Sequence, residues 1–363
     1  MDSAARKQQQ RHSLATAVAT ANNRKVAYCV GGAALLAFLV IVPFARIPLP
    51  RVPAFIPAYA AALVFVDFLT AILLLGHYTR LRSLPVLVLT AAYLFDGLIM
   101  MMHALSFPGA FSQAGLMGPR PQTTAWLYVF WHGGFPVFVL AYAWLRTREA
   151  GGKVWTIDVA PSTAILAAVA GVTALVIAMT LLATFGHDWL PVVIRGNDYS
   201  MLITKGVSPA VWLLTLLAML SLRQREQRTL DLWLALMMWI CLFDIGLSAL
   251  ISTARFDLGF YAGRLFGLTA ASFLLVALLV ELGGMYSRAL GAVVSAENRI
   301  GDLVRANARA ELRPLGKGTD AFVQNQNIAH YRALLEAGGL DETQRAAVRK
   351  LLLEEQQKSA PLD

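Results

Sequence analysis

Five ionisable side chains, Asp96, His103, His132, Asp244 and Arg264, stand inside long apolar runs, and Trp131 adjoins His132. Charge in hydrocarbon is costly and almost always faces a bundle interior or a water-filled cavity, where it pairs or binds something. The chemistry open to this set is ion pairing, proton transfer and recognition of a polar ligand. Counted at about 1.5 Å per residue from the outer ends of their runs, Asp244 lies about 12 Å deep, Arg264 about 9 Å, Trp131 and His132 about 11–14 Å and Asp96 about 13 Å, with His103 close to the surface. A short loop joins the runs that hold Asp244 and Arg264, so these two are expected to pair. We read Asp96, His103, Trp131, His132, Asp244 and Arg264 as an outward-opening polar pocket. The other reading is an interhelical salt bridge with satisfied histidines that serves packing alone.

Further residues admit two readings each. His103 and His132 could ligate haem or a metal if they faced each other across neighbouring helices, but spacing cannot establish such geometry, and no cofactor is predicted. Gly133, Gly134 and Pro136 interrupt the run just after His132, as a hinge or as a seat for a closely packed helix. Asp67, in the middle of its run, either relays a proton or hydrogen-bonds a neighbouring helix, and Glu281 can reach the inner interface. Cys29 and Cys241 lack metal-like spacing and are read as buried thiols. Trp126, Tyr128, Trp155 and Trp189 suit interfacial anchors. No nucleophile constellation or His-Glu-x-x-His pattern is present, so no enzymatic activity is expected.

The elements that must position these residues follow from composition. Hydrophobic residues make up 57% of the 363, charged residues 15%, and mean hydropathy is +0.58. That describes a polytopic integral membrane protein. A hydrocarbon core about 30 Å thick takes about 20 helical residues, and unpaired backbone cannot face lipid, so each run is expected to be a helix. The fold class is therefore an all-α membrane bundle. About eight spans are expected, at residues 26–45, 54–77, 84–105, 123–146, 161–185, 206–222, 230–252 and 258–286. The first lacks a cleavage site and is expected to be retained.

The net charge of +9 is topological. Arg6, Lys7, Arg11, Arg24, Lys25, Arg80, Arg82, Arg146, Arg148, Lys153, Arg223, Arg225 and Arg228 precede the first run or occupy alternate loops. The positive-inside rule then puts both termini in the cytoplasm, and no nucleic-acid partner is needed. Residues 1–25 read as a polar N-terminal segment, 26–288 as the membrane block and 289–315 as a helical extension. Residues 316–363 read as a Gly-rich linker (Gly316, Gly318) and a small helical hairpin, with Asp341 and Gln344 starting its second helix as a capping box. The two longest outer loops, 106–122 and 186–205, carry Pro108, Gly109, Gly115, Gly118, Pro119, Pro121, Pro191, Gly196 and Asn197, and read as compact turns able to lid a pocket.

Four motifs occur in order: His103-Ala104-Leu105-Ser106-Phe107-Pro108-Gly109, the stretch from Pro121 to Pro136 containing Trp131-His132-Gly133-Gly134, Phe243-Asp244-Ile245-Gly246-Leu247-Ser248, and Arg255-Phe256-Asp257-Leu258-Gly259-Phe260-Tyr261-Ala262-Gly263-Arg264. Together they resemble the bacterial membrane-associated sensor domains, closest to the fourth type of the MASE series, over about residues 25–290. The resemblance implies a bacterial inner-membrane sensor of an unidentified signal, of a kind typically fused to GGDEF diguanylate cyclases or histidine kinases. After residue 290 the sequence departs from that pattern. No GGDEF-like string, nucleotide-binding Gly box or phosphoacceptor box follows, Gly316-Lys317-Gly318-Thr319 lacks phosphate-loop spacing, and His330 sits outside any phosphorelay context. The expected function is a sensor that perceives a small ligand, lipid or membrane state and passes the signal through its last helix to a cytoplasmic partner, with a homodimer as a further partnership. The alternative is a small-molecule transporter or permease, although no inverted repeat is visible.

Overall fold

The computed structural model describes residues 14–357 apart from 16, 118–121, 150–158, 197, 224–226, 253 and 312–319. Gly118, Pro119, Pro121, Lys153, Trp155, Asn197, Arg225 and the linker glycines Gly316 and Gly318 lie outside the described residues, as does every residue before Leu14, including Arg6, Lys7 and Arg11. The helices are α1 Ala21–Ile41, α2 Phe55–Leu81, α3 Leu84–Ser106, α4 Thr123–Glu149, α5 Pro161–Thr184, α6 Ser200–Thr204, α7 Val207–Ser221, α8 Thr229–Ile245, α9 Leu258–Glu311, α10 Asp320–Glu336 and α11 Glu342–Gln357. Among the described residues no strand forms, and β pairing is confined to isolated bridges.

Seven of these helices are long and apolar enough to cross a membrane. The remaining expected span, α7, has 15 residues, or about 22 Å of helix against a core of about 30 Å. The short α6 leads into it through Gly206, whose φ of 75° lies in the left-handed region. Among the spanning helices α3 and α8 are the most enclosed: Leu89, Tyr93, Phe95, Ile99, Leu234, Met238 and Ile240 are essentially inaccessible. In α1 and α5, by contrast, Leu36, Leu39, Val40, Leu166, Ile177 and Leu181 point outward. Apolar side chains on the outside and polar ones within suit a bundle whose solvent is lipid. Helix α2 packs on α3, α3 on α4 and α5, α4 on α7, and α8 on α1 and α7. Cys29 is exposed on this outer surface and Cys241 only partly buried, so the expectation of two buried thiols is corrected: α1 turns the Cys29 side outward.

The chain divides after Glu281 into two compact units. In the first, the end where α2 joins α3 and α4 closes its last turn is held by a buried polar cluster. Tyr142 donates to Asp231 Oδ1 at 2.6 Å and Arg146 Nη2 to Asp231 Oδ2 at 2.9 Å, while the Arg228 backbone N–H donates to the same Oδ2 at 3.0 Å. Ser83 donates to Glu149 at 2.9 Å, and Arg228 Nη1 reaches Glu149 at 3.4 Å and the Ala15 carbonyl at 2.8 Å. Composition assigned Arg146 and Arg228 to loops, yet Arg146 is only 5% exposed and ties α4 to the start of α8. Glu281 is likewise buried. It accepts from the Leu14 N–H at 2.7 Å and meets His77 Nε2 of α2 at 3.1 Å, a clasp between the segment before α1 and the helices α2 and α9.

The second unit holds the remainder of α9 and the α10–α11 hairpin. Gly338 and Gly339, at φ 56° and 138°, end α10 in backbone that other residues avoid. The Asp341 N–H then donates to Gln344 Oε1 at 3.1 Å, and the Gln344 N–H to Asp341 Oδ1 at 2.7 Å, the reciprocal pair that starts α11. Along α9 beyond Glu281, Leu290, Val293, Val294, Ile300 and Leu303 are exposed.

Candidate functional site

The six residues read as a pocket are all buried within the first unit, but their partners differ from those expected. Asp244 does not pair with Arg264. Its Oδ2 faces His132 Nε2 at 3.3 Å, and its backbone carbonyl and Oδ1 accept from Ser248 Oγ at 2.7 and 3.2 Å. His132 Nδ1 lies 3.0 Å from the Tyr128 carbonyl, which can only accept, so Nδ1 carries a proton. The contact between Nε2 and Oδ2 then needs one further proton, held on either side. His132 and Asp244 thus form a proton-sharing pair. Trp131 Nε1 donates to Asp96 Oδ1 at 2.9 Å.

The expected single pocket is two cavities, each of about 40 Å³. The inner one is walled by Asp96, Trp131, His132 and Asp244 with Met237 and Cys241. The outer one lies toward the loops and takes in His103, Tyr128, Tyr199, Ser248, Arg255 and Arg264, with Phe107 and Phe260 also in its wall. Ser248 connects them: Tyr128 and Ser248 are hydrogen-bonded at 3.0 Å, and since Ser248 donates to the Asp244 carbonyl, Tyr128 is the donor between the two. Tyr128, expected as an interfacial anchor, is therefore a cavity residue. Trp126 is buried with its Nε1 on the Pro191 carbonyl at 3.1 Å, while Trp189 is 85% exposed.

Local backbone explains this convergence. After Ile245, α8 continues as a π-helical turn, Gly246–Ile251, an uncommon geometry that concentrates at functional sites. Facing it, α9 presents glycines. A Cβ on Gly263 would stand 2.8 Å from Ser248 Cβ, and one on Gly267 would stand 2.7 Å from Asp244 Oδ2 and 3.1 Å from Tyr59 Oη. Gly259, Gly263 and Gly267 recur every four residues, the small-residue spacing that lets helix backbones approach in membranes, and this signal was legible in the sequence. Asp257 caps α9, accepting from the Phe260 N–H at 2.8 Å and from Ser252 Oγ at 2.6 Å. The loop before it holds Phe256 at φ 69°, a costly conformation for a non-glycine residue, fixed by the Leu49 N–H on its carbonyl at 2.8 Å.

This loop contributes Arg255, a site residue that sequence reasoning passed over. Its signal was an arginine in a loop that the positive-inside rule leaves short of cations. Arg255 lies over the Phe107 ring at 4.8 Å, and Arg264 over the Phe260 ring at 3.6 Å. Burial, and then the like charge of Arg264, bring the Arg255 guanidinium down to about 10, still a cation at neutral pH. Tyr199 donates to the Ala254 carbonyl at 2.8 Å and meets Ser252 Oγ at 2.8 Å, and burial pushes its phenol up to about 12.

His103 Nδ1 lies 3.1 Å from the Thr124 carbonyl, and His132 Nε2, the nitrogen a metal would need, is already engaged by Asp244. Among the described residues no group of three His, Cys, Asp or Glu side chains is arranged to hold a metal ion. Helix α4 runs through Pro136, and a Cβ on Gly134 would stand 2.5 Å from the Phe95 ring, so this glycine seats α3 against α4. Asp67 is fully buried, and the expected hydrogen bond to a neighbouring helix runs to another acid, Asp96 of α3, with no other donor among the described residues on its carboxyl. Asp67→Asn keeps the shape and adds a donor toward Asp96. It is expected to raise the midpoint of thermal unfolding in detergent, because an amide N–H serves the Asp96 carboxyl without burying a second acid beside it; a lower midpoint would contradict this.

Residues 50–286 match the family model of MASE4, described as a membrane-associated sensor, integral membrane domain. No curated protein and no solved structure gives a significant match to the chain. The matched region covers well over half of the sequence and contains both cavities, the π turn and the glycine face of α9: the chain belongs to the MASE4 family of membrane-associated sensors.

Proposed function

We propose that the outer cavity is where the signal enters and that α9 carries it out of the bundle. The observation that carries this reading is the hydrogen-bond path from the cavity wall to Asp244, which packs against the face of α9. Tyr128 bonds Ser248, Ser248 bonds Asp244, Asp244 bonds His132, and Asp244 lies against Gly267. A ligand that draws the Tyr128 proton away from Ser248 changes what Asp244 accepts. Asp244 has no room to turn without moving α9, because the gap there admits only a glycine. The family supports a bacterial inner membrane, and by the positive-inside rule the cavity faces outward and both termini lie in the cytoplasm. There the exposed apolar side chains of α9 beyond Glu281 offer a helix-packing face to a second copy or to a signalling partner.

Hydrogen exchange on the full chain in nanodiscs tests the relay. Exchange along Leu282–Asn307 should change in Arg264→Ala and Ser248→Ala, both in the cavity wall. It should not change in Leu265→Ala, which removes an exposed side chain of the same helix. Unchanged exchange in both cavity variants would overturn the reading.

A further inference from the structure

We propose that the outer cavity binds a compact oxyanion between Arg255 and Arg264; the inference rests on the reading of this cavity as the signal-entry site. Arg264 is 7% exposed, and its one hydrogen bond among the described residues is Nη1 to the carbonyl of Phe260, one turn earlier on its own helix, at 2.9 Å. Among the described residues no carboxylate comes within 4.0 Å of it or of Arg255. The acids whose charge is felt in this region are otherwise occupied. Asp257 accepts from Ser252 and the Phe260 N–H, while Asp244 is turned to His132 and Ser248. Two guanidinium groups at one small cavity, Arg264 buried and Arg255 half-buried, are each laid on an aromatic face and short of negative charge. Buried cations normally pair with an acid or with a bound anion.

The size and the remaining lining narrow the class. No acidic side chain lines the cavity, so nothing there repels an anion. A water needs about 10–15 Å³ of such space, so about 40 Å³ holds roughly three waters. That suits a planar group of about four heavy atoms, such as acetate, nitrate or bicarbonate. Planar oxyanions match the forked donors of arginine. His103 donates through Nδ1 to the Thr124 carbonyl, which leaves Nε2 with its lone pair and no protein partner among the described residues. An oxyanion that also carries an O–H, as bicarbonate does, would satisfy that nitrogen as well as the arginines.

The test is a thermal-unfolding titration of the full chain, delipidated in neutral detergent so that no lipid phosphate competes. Sodium acetate, nitrate and bicarbonate are compared with sodium chloride at matched ionic strength, and benzoate and citrate serve as oversized anions. We expect a saturable rise in unfolding midpoint with at least one of the small oxyanions, bicarbonate strongest, and none with benzoate or citrate. Half-saturation should shift at least tenfold in Arg255→Gln and in Arg264→Gln. Arg255→Gln, in the loop, keeps the test open should Arg264→Gln fail to fold. No saturable response to any small oxyanion, or a response unchanged in Arg255→Gln, would overturn the proposal. The two readings fail separately. Oxyanion binding without any change in exchange along Leu282–Asn307 removes the sensing role and leaves the site, whereas coupling without oxyanion binding removes this ligand class alone.

Discussion

Asp231→Ala is expected to leave little or no monodisperse protein after detergent extraction. Asp231 is 1% exposed and accepts from Tyr142, Arg146 and the Arg228 backbone N–H, at 2.6, 2.9 and 3.0 Å. Removing it leaves Arg146 as a buried cation whose remaining acid, Glu149, stands 3.8 Å away, while Arg146 Nε has no acceptor even in the intact cluster. Breaking one partner of a buried ion pair costs about 3–5 kcal/mol, a large share of the 5–15 kcal/mol that typically separates folded from unfolded protein. Asp231→Asn keeps an acceptor for Tyr142 and should be intermediate. Size-exclusion profiles and unfolding midpoints of the three proteins check the order; an alanine variant as stable as the parent would show that the cluster is not what fastens α4 to α8.

The second large effect concerns the glycine face of α9. Gly267→Val should both destabilise the bundle, by the 1–3 kcal/mol typical of overpacking, and abolish the coupling between the outer cavity and α9. A Cβ alone would meet Asp244 Oδ2 at 2.7 Å and Tyr59 Oη at 3.1 Å, so the Asp244 carboxylate must swing off His132 or the helices must part. The same substitution at Gly283, where a Cβ meets nothing within 4 Å, is the control and should be tolerated. Space and chemistry can be separated by a second change. Asp244→Ala removes the obstructing carboxylate, so the double variant should be more stable than the two single losses summed, by about 1 kcal/mol or more, as expected for contacting residues. Strict additivity would mean that Gly267 acts elsewhere than on Asp244.

The cap residues, the long apolar runs and the asymmetry of basic loops were legible in the sequence because each depends on local chemistry. About 20 apolar residues satisfy a bilayer wherever they occur, and Asp341 caps its helix with a partner three residues away. Hydropathy likewise determined that Asp96, His103, His132, Asp244 and Arg264 lie in the protein interior, since lipid tolerates none of them on its side. Only the tertiary structure decided which of them meet. Depth along the membrane follows from counting residues, but the rotation of each helix about its own axis does not. The π turn after Ile245 offsets the count further, because it departs from the 3.6-residue period. Asp244 therefore faces His132 of α4 instead of Arg264, which lies on the adjoining helix at a similar depth. Arg264 instead joins Arg255, from a loop whose path is held by Phe256 and Leu49. The same limit hid the Asp231 cluster: arginines near span ends look like topology signals in a sequence, and only the packing of α4 against α8 turns Arg146 inward.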